Sequence, residues 1–131
     1  MKRVFWFCIL LISLGSSALA SVVPAQGVAS WYGEELRGKR MANGKRFNPD
    51  KLTAASWFYP LGTLVRVTTN DGFRKRSVLV TITDRGPAKR LVRDGRIIDL
   101  GHAAFTQLAH PDLGLVPVVV EPIGSEALAS R

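Results

Sequence analysis

The sequence Thr81-Ile82-Thr83-Asp84-Arg85-Gly86-Pro87 is followed by Gly95-Arg96-Ile97-Ile98-Asp99-Leu100. In the first stretch a β-branched run ends at a carboxylate, a guanidinium, a glycine and a proline, and the second is an apolar run carrying another carboxylate. Such residues suit a turn, since Asp accepts hydrogen bonds from nearby backbone N–H groups, Gly allows positive φ and Pro fixes φ. Acids held at strand ends also suit carbohydrate-cleaving chemistry. Both interpretations are open on these residues alone.

The run that leads into Asp84 alternates in the manner of a half-buried strand. Val78, Val80 and Ile82 share one face, and Leu79, Thr81 and Thr83 share the other. Similar composition predicts strands at 28–32, 64–69, 96–100 and 116–123, a single helix at 102–109, and leaves 51–56 ambiguous between states. Several short strands, one short helix and closely spaced turns predict a mainly β fold, a small closed barrel without exposed edges.

The N-terminal residues carry a targeting signal. Lys2 and Arg3 precede an apolar run over 4–14, which leads to Ala18-Leu19-Ala20. This order is typical of a secretory signal peptide cleaved after Ala20, and the run is too short for a membrane span of roughly 20 residues. An uncleaved N-terminal anchor is the alternative. We therefore expect a signal peptide at 1–20, a leader at 21–26, one domain at 27–124 and a disordered tail at 125–131.

Composition limits the partners and cofactors. Residues 1–20 carry two cations and no acid, so their removal lowers the net charge from +8 to +6 and leaves 111 residues. A basic exported protein meets nucleic acid, anionic lipid or an anionic cell wall, and export disfavours nucleic acid. The single cysteine, Cys8, lies in the apolar run, so we expect no disulfide. With His102 and His110 as the only histidines, we expect no metal site and no cofactor.

Six short motifs occur in one order along the chain: G-V-A-S-W-Y-G (27–33), M-A-N-G-K-R-F (41–47), L-T-A-A-S (52–56), P-L-G-T-L-V-R-V (60–67), T-D-R-G-P (83–87) and R-I-I-D-L (96–100). With these motifs the chain resembles the RlpA (rare lipoprotein A) family of bacterial cell-envelope proteins. The resemblance implies a six-stranded double-psi β-barrel, shared with expansins. It also implies lytic transglycosylation of peptidoglycan, favouring strands that lack stem peptides.

The resemblance implies a set of site residues. Asp84 takes the place of the acid in D-R-G-P and is the predicted catalytic residue. The predicted substrate-binding residues are Trp31, Tyr32, Asn43, Lys45, Ser56, Arg85 and Asp99. Two of these depart from the family pattern: Ser56 stands where a histidine is usual after T-A-A, and Lys45 where an acid is frequent after A-N-G. The aromatic residues at 31–32 and 57–59 suit either sugar stacking or the barrel core.

The implied reaction makes demands on Asp84. One carboxyl group protonates the glycosidic oxygen and then, as a base, assists the muramic acid 6-hydroxyl. That role requires partial burial to raise the carboxyl pKa, so we expect Arg85 either to point away from Asp84 or to bind substrate. The alternative function is a non-catalytic, expansin-like wall-binding module, which Lys45 and Ser56 favour. With either function, the mature protein is expected to be a monomer in the periplasm or outside the cell.

Overall fold

The computed structural model describes residues 24–72 and 74–125. The predicted signal peptide and all but the first residue of the predicted tail lie outside the described residues. The strands are β1 (Ala25–Tyr32), β2 (Thr53–Ala55), β3 (Thr63–Thr69), β4 (Ser77–Asp84), β5 (Arg96–Gly101) and β6 (Val116–Ser125). The helices are α1 (Lys89–Arg93) and α2 (His102–Leu108), with 3₁₀ turns at Glu34–Leu36 and Pro111–Leu113.

The strands close into a barrel in the order β1-β5-β2-β4-β3-β6. The β1–β5 and β2–β4 pairs are parallel, and the other four neighbouring pairs are antiparallel. The prediction of a mainly β, six-stranded closed barrel is thus confirmed. Closure gives each strand two hydrogen-bonded neighbours, so the short β2 is held between β4 and β5.

The barrel interior follows from the alternation of side chains along each strand. Val78, Val80 and Ile82 are buried, whereas Leu79 on the opposite face of β4 is 45% exposed. The interior also holds apolar residues from the other strands: Ala29, Ala54, Val65, Val67, Ile98, Leu100, Val116, Val118 and Val120. The face assignment made from the β4 sequence is therefore confirmed.

Helix α2 covers one part of this core. Its residues Ala104, Phe105 and Leu108 are buried, and the predicted helix at 102–109 is confirmed to within one residue. The five-residue α1 was not predicted, because the stretch 89–93 is too short, and too rich in basic residues, to show an apolar periodicity. None of the helices within the described ranges is long and apolar enough to span a membrane.

Two predicted boundaries need correction. Strand β1 begins at Ala25, so Ala25 and Gln26 of the expected leader are part of the barrel and pair with Val120 and Val119 of β6. Ser125, expected in the tail, ends β6. Both errors have the same cause: the barrel's outermost pairings involve small and polar residues that carry little strand signal of their own.

Candidate active site

The two acids of the opening motifs are brought together by β2. Ala55 is the register partner of Asp84 on one side and of Asp99 on the other. The preceding residue, Ala54, is a core residue, so Ala55 and its partners face the outside of the barrel. Since neighbouring strands lie about 4.8 Å apart, the Cα atoms of the two acids are separated by roughly 10 Å, with the Ala55 methyl group between them.

A bulge places Asp84 in this row. The β2–β4 register runs from Ala54–Ile82 to Ala55–Asp84 and skips Thr83. In an uninterrupted register Ala55 would pair with Thr83, and the Asp84 side chain would lie elsewhere. Bulges re-aim side chains in this way and are frequent beside functional sites.

The Asp84 carboxyl group is oriented by backbone amides. Its Oδ1 atom accepts hydrogen bonds from Ala42 N at 2.9 Å and Arg85 N at 2.8 Å. Its Oδ2 atom has no hydrogen-bond partner among the residues described. Asp84 therefore combines the two interpretations of the sequence: it forms the turn through one oxygen and leaves the other oxygen for a ligand.

Asp99 lies in a more enclosed position. The Ser30 hydroxyl, on the neighbouring strand β1, donates a hydrogen bond to Asp99 Oδ1. An ideal Cβ on Gly86 would lie 3.3 Å from Asp99 Oδ2, so the glycine of D-R-G-P lets the turn close over this carboxyl group. Burial raises the pKa of Asp99, while the Ser30 bond and the charge of Arg96 act in the opposite direction.

The Tyr32 side chain shares the outer face with Ser30, two residues earlier in β1. Its hydroxyl is buried and has no hydrogen-bond partner within residues 24–72 and 74–125, and its ring packs on the Phe47 ring with the two centroids 4.4 Å apart. Burial raises the pKa of Tyr32, and the charges of Asp84 and Asp99 raise it further. The structure thus unites three of the predicted site residues, two acids and one phenol, in one place.

Arg85 points away from Asp84. Its guanidinium donates to the backbone carbonyls of Ser56 at 2.8 Å and Tyr59 at 2.6 Å. No ion pair joins it to Asp84 within the described ranges. Of the two expectations for Arg85, the structure shows the first, and its contacts fix the loop that follows β2.

Ser56 requires a correction. Its side chain is fully buried, its hydroxyl donates to Ile97 O at 3.1 Å, and the same oxygen accepts from Phe58 N at 3.2 Å. The Ser56 hydroxyl is already paired as donor and as acceptor and the side chain has no exposed surface, so Ser56 offers no group to a substrate in this conformation. Its contribution is structural: Ser56 N donates to Asp84 O at 3.1 Å, which joins the end of β2 to the acidic turn.

Trp31 also lies apart from the acids. Its indole N–H donates to Pro111 O at 2.9 Å, and its ring meets the His102 ring edge-on at 5.0 Å. Trp31 pairs with the core residue Leu100, so it faces the opposite side of β1 from Tyr32. The structure therefore places Trp31 apart from the acids and packed against the core, as in the core interpretation of this tryptophan.

Asn43 and Lys45 lie in the loop between the first 3₁₀ turn and β2. Asn43 Oδ1 accepts from Lys45 N at 3.0 Å, and Asn43 N donates to Thr83 O at 3.2 Å. Both side chains line a cleft of about 340 Å³, which does not include either acid. The predicted binding residues thus fall into two neighbouring places, the acid row and this cleft.

Several residues of the site were missed by sequence reasoning. Ser30 was detectable, because period-two alternation places it on the face of Tyr32. Ala42 acts only through its backbone N–H, and no side-chain pattern could have identified it. Gly86 was read as a turn residue, whereas its lack of a side chain also admits Asp99.

Comparison with known proteins is consistent with this geometry. A family model described as "Lytic transglycolase" matches residues 24–120. A protein of Nostoc sp. named probable endolytic peptidoglycan transglycosylase RlpA is 46% identical over 102 residues, covering 76% of this chain and 26% of the relative. The Campylobacter jejuni protein named endolytic peptidoglycan transglycosylase RlpA is 40% identical, covering 76% and 34%. The chain therefore spans about a quarter to a third of the length of these relatives.

Solved structures share the fold. The Streptomyces papain inhibitor superposes with a TM-score of 0.59 at 23% identity, covering 77% of this chain and 94% of that one. An expansin of Clavibacter michiganensis superposes with a TM-score of 0.56 at 23% identity, covering 77% and 50%. These similarities bear on the fold alone. This chain is similar in sequence to the RlpA proteins. Because the family model covers most of the chain, the protein belongs to the lytic transglycolase family of double-psi β-barrels.

Proposed function

We propose that this chain is an exported lytic transglycosylase domain that cleaves peptidoglycan glycan strands between N-acetylmuramic acid and N-acetylglucosamine. The products are 1,6-anhydromuramic acid ends, and strands without stem peptides are the preferred substrate. The observation that supports this proposal most directly is the acid row, in which Asp84 and Asp99 share an outer face of the barrel on either side of Ala55.

The reaction needs a group that first gives and then takes a proton. A carboxylic acid protonates the glycosidic oxygen as the bond from muramic acid C1 breaks. The resulting carboxylate then removes the proton of the 6-hydroxyl as O6 bonds to C1, which closes the anhydro ring and restores the acid. No water is consumed, so the second carboxylate of the row is not needed to activate one, unlike in an inverting hydrolase.

We assign the proton donor to Asp99 and not, as the sequence suggested, to Asp84. Burial raises the pKa of Asp99, and that is the direction a proton donor requires. Asp84 is held by two backbone amides, and its free Oδ2 suits stabilisation of the positive charge that develops at C1. Tyr32 lies beside both acids, and its unpartnered hydroxyl suits a hydrogen bond to the sugar.

The location follows from the N-terminal sequence. Residues 1–20 have the order of a cleavable signal peptide, and the substrate lies outside the cytoplasm. We therefore place the mature protein, beginning at Ser21, in the periplasm or outside the cell. N-terminal sequencing of protein recovered from the cell envelope tests this directly, and material that begins at Met1 would contradict it.

The activity is tested by digesting purified sacculi, first stripped of stem peptides by an amidase, and analysing the products by mass spectrometry. The expected products are internal fragments that end in anhydromuramic acid. Fragments with reducing muramic acid ends would indicate hydrolysis instead. Binding to sacculi without any cleavage would support the expansin-like binding module.

A further inference from the structure

The cleft beside the acid row has a distinct chemical character. It is lined by Met41, Asn43, Lys45, Arg46, Asn48, Lys51, Leu52, Thr53, Thr81 and Thr83. Three of these residues are cations and none is an acid. None of the three cations forms an ion pair with another residue in the described part of the chain. By contrast, the nearby depression beside Trp31 is lined by three acids, Glu34, Glu35 and Asp50.

Two buried hydroxyls add to this arrangement. Thr53 Oγ1 and Thr83 Oγ1 are both buried, neither has a hydrogen-bond partner in the part of the chain that the structure describes, and both residues line the cleft. Thr83 is only 7% exposed, and it is the residue that the β4 bulge leaves out of register. An unpartnered buried hydroxyl costs free energy, so these groups are explained if a ligand oxygen accepts from them.

The cleft adjoins the proposed reaction centre. Thr83, which lines the cleft, is followed directly by Asp84, and the bulge interrupts the alternation of side chains so that both residues lie on the outer face of the barrel. The loop between them contacts both: Ala42 N donates to Asp84 Oδ1, and the next residue, Asn43, donates through its backbone N–H to Thr83 O. A sugar held against Asp84 therefore has this cleft within reach of its substituents.

We infer that the cleft binds a carboxylate carried by the sugar at the reaction centre, namely the free lactyl carboxylate of muramic acid. This inference rests on the proposed function and gives it a basis for selectivity. The lactyl group is attached to O3 of the ring whose C1 reacts, so its carboxylate lies within one sugar of Asp84. In a strand without stem peptides this carboxylate is free and negatively charged. In a strand bearing stem peptides it is an uncharged amide.

The cations and hydroxyls match this ligand. Lys45 and Lys51, both in the lining, supply positive charge, and Asn43 and Asn48 supply amide donors. A carboxylate accepts several hydrogen bonds at once, whereas an amide offers one uncharged acceptor and adds a bulky peptide. The cleft thereby favours strands without peptides for two reasons: it attracts the negatively charged lactyl carboxylate, and no stem peptide obstructs the approach of the sugar.

The test compares binding of two soluble glycans that differ only at this group. One is a peptide-free peptidoglycan oligosaccharide with free lactyl carboxylates, and the other is the same oligosaccharide with those carboxyls reduced to alcohols. Affinities are measured by calorimetry with the Asp99→Asn protein, so that the glycan is not consumed. We expect the carboxylate form to bind about tenfold more tightly at low salt and the difference to shrink as salt screens the charges.

Matched variants locate the effect. Lys45→Gln combined with Lys51→Gln is expected to lower the affinity for the carboxylate glycan to that for the reduced glycan. Lys75→Gln combined with Arg93→Gln, at two exposed positions outside the cleft, removes the same net charge and is expected to keep the preference. Equal binding of the two glycans by the unaltered cleft, no binding of either, or a preference that survives the double substitution would overturn the inference.

A third glycan distinguishes the source of the carboxylate. Strands that retain stem peptides carry carboxylates on the peptide but none on the lactyl group, and they are expected to bind as weakly as the reduced glycan. Tighter binding of these strands would assign the cleft to the peptide and overturn the lactyl assignment. The binding comparison is independent of catalysis, so an absence of anhydro products would refute the proposed activity and leave this result intact.

Discussion

Asp84 and Asp99 are not neighbours in any strand pair, yet both are in register with the same residue, Ala55. The space between the two carboxyl groups is therefore governed by the Ala55 side chain, which is only 3% exposed. An ideal Cβ built on Gly86 would lie 3.3 Å from both Ala55 Cβ and Asp99 Oδ2, so a side chain on Gly86 would crowd this space.

Ala55→Val is expected to lower the free energy of unfolding by about 1–3 kcal/mol, because extra methyl groups in a well-packed position force neighbours apart. It is also expected to reduce glycan cleavage more than tenfold by displacing the acidic turn. Urea denaturation and the release of anhydro products measure the two effects. Ala88→Val, at an exposed position, is the control and should change neither.

Two substitutions at Asp84 separate its structural role from its chemical role. Asp84→Asn keeps an oxygen that accepts from Ala42 N and Arg85 N, so it should fold with a stability loss below about 1 kcal/mol. Asp84→Ala leaves both N–H groups unpartnered and should lose about 2 kcal/mol. Both should abolish glycan cleavage. An Asn variant that unfolds would show that charge at this position is needed for the turn itself.

Asp99→Asn is expected to stabilise the protein at neutral pH while abolishing cleavage. The raised pKa of Asp99 means that the folded state holds this proton more tightly than the unfolded state does. Ionisation of Asp99 therefore lowers the stability of the fold once the pH rises above the pKa that Asp99 has in the unfolded chain. Below that pKa the carboxyl group is protonated in both states and the effect disappears. Unfolding curves at pH 7 and pH 3 should show the gain only at pH 7. Asp94→Asn, an exposed acid, should show no gain at either pH.

Tyr32→Phe removes a hydroxyl that has no partner among the described residues, so stability should stay equal or rise by up to about 1 kcal/mol. If that hydroxyl bonds the sugar, cleavage should fall about tenfold. Tyr59→Phe is the matched control: its hydroxyl donates to Val120 O at 3.4 Å on β6, a strand that pairs with neither of the strands that carry the acids. It should cost a little stability and leave cleavage unchanged. Full activity of Tyr32→Phe would remove Tyr32 from the site.

The sequence was informative wherever alternation and turn residues governed the structure. Period-two patterns gave β4 and its buried face, and the acidic motifs gave both carboxylates. Trp31 lies apart from the acids although its neighbour Tyr32 lies beside them, because adjacent residues of a strand face opposite ways. Ser56 and Arg85 depend on contacts with residues such as Ile97 and Tyr59, which only the closed barrel brings near. Such pairings have no local signature.

The backbone N–H groups of residues 42 and 43 connect the cationic cleft to the carboxyl group of Asp84. One N–H orients the carboxyl group of Asp84, and the next is bonded to the strand residue beneath the cationic cleft. A ligand that draws this segment towards the cleft also moves the donor that aims the acid. Movement of residues 42 and 43 would therefore change the orientation of the Asp84 carboxyl group and the lining of the cleft at the same time. A change in the length of this loop would alter both together, whichever side chains it carried.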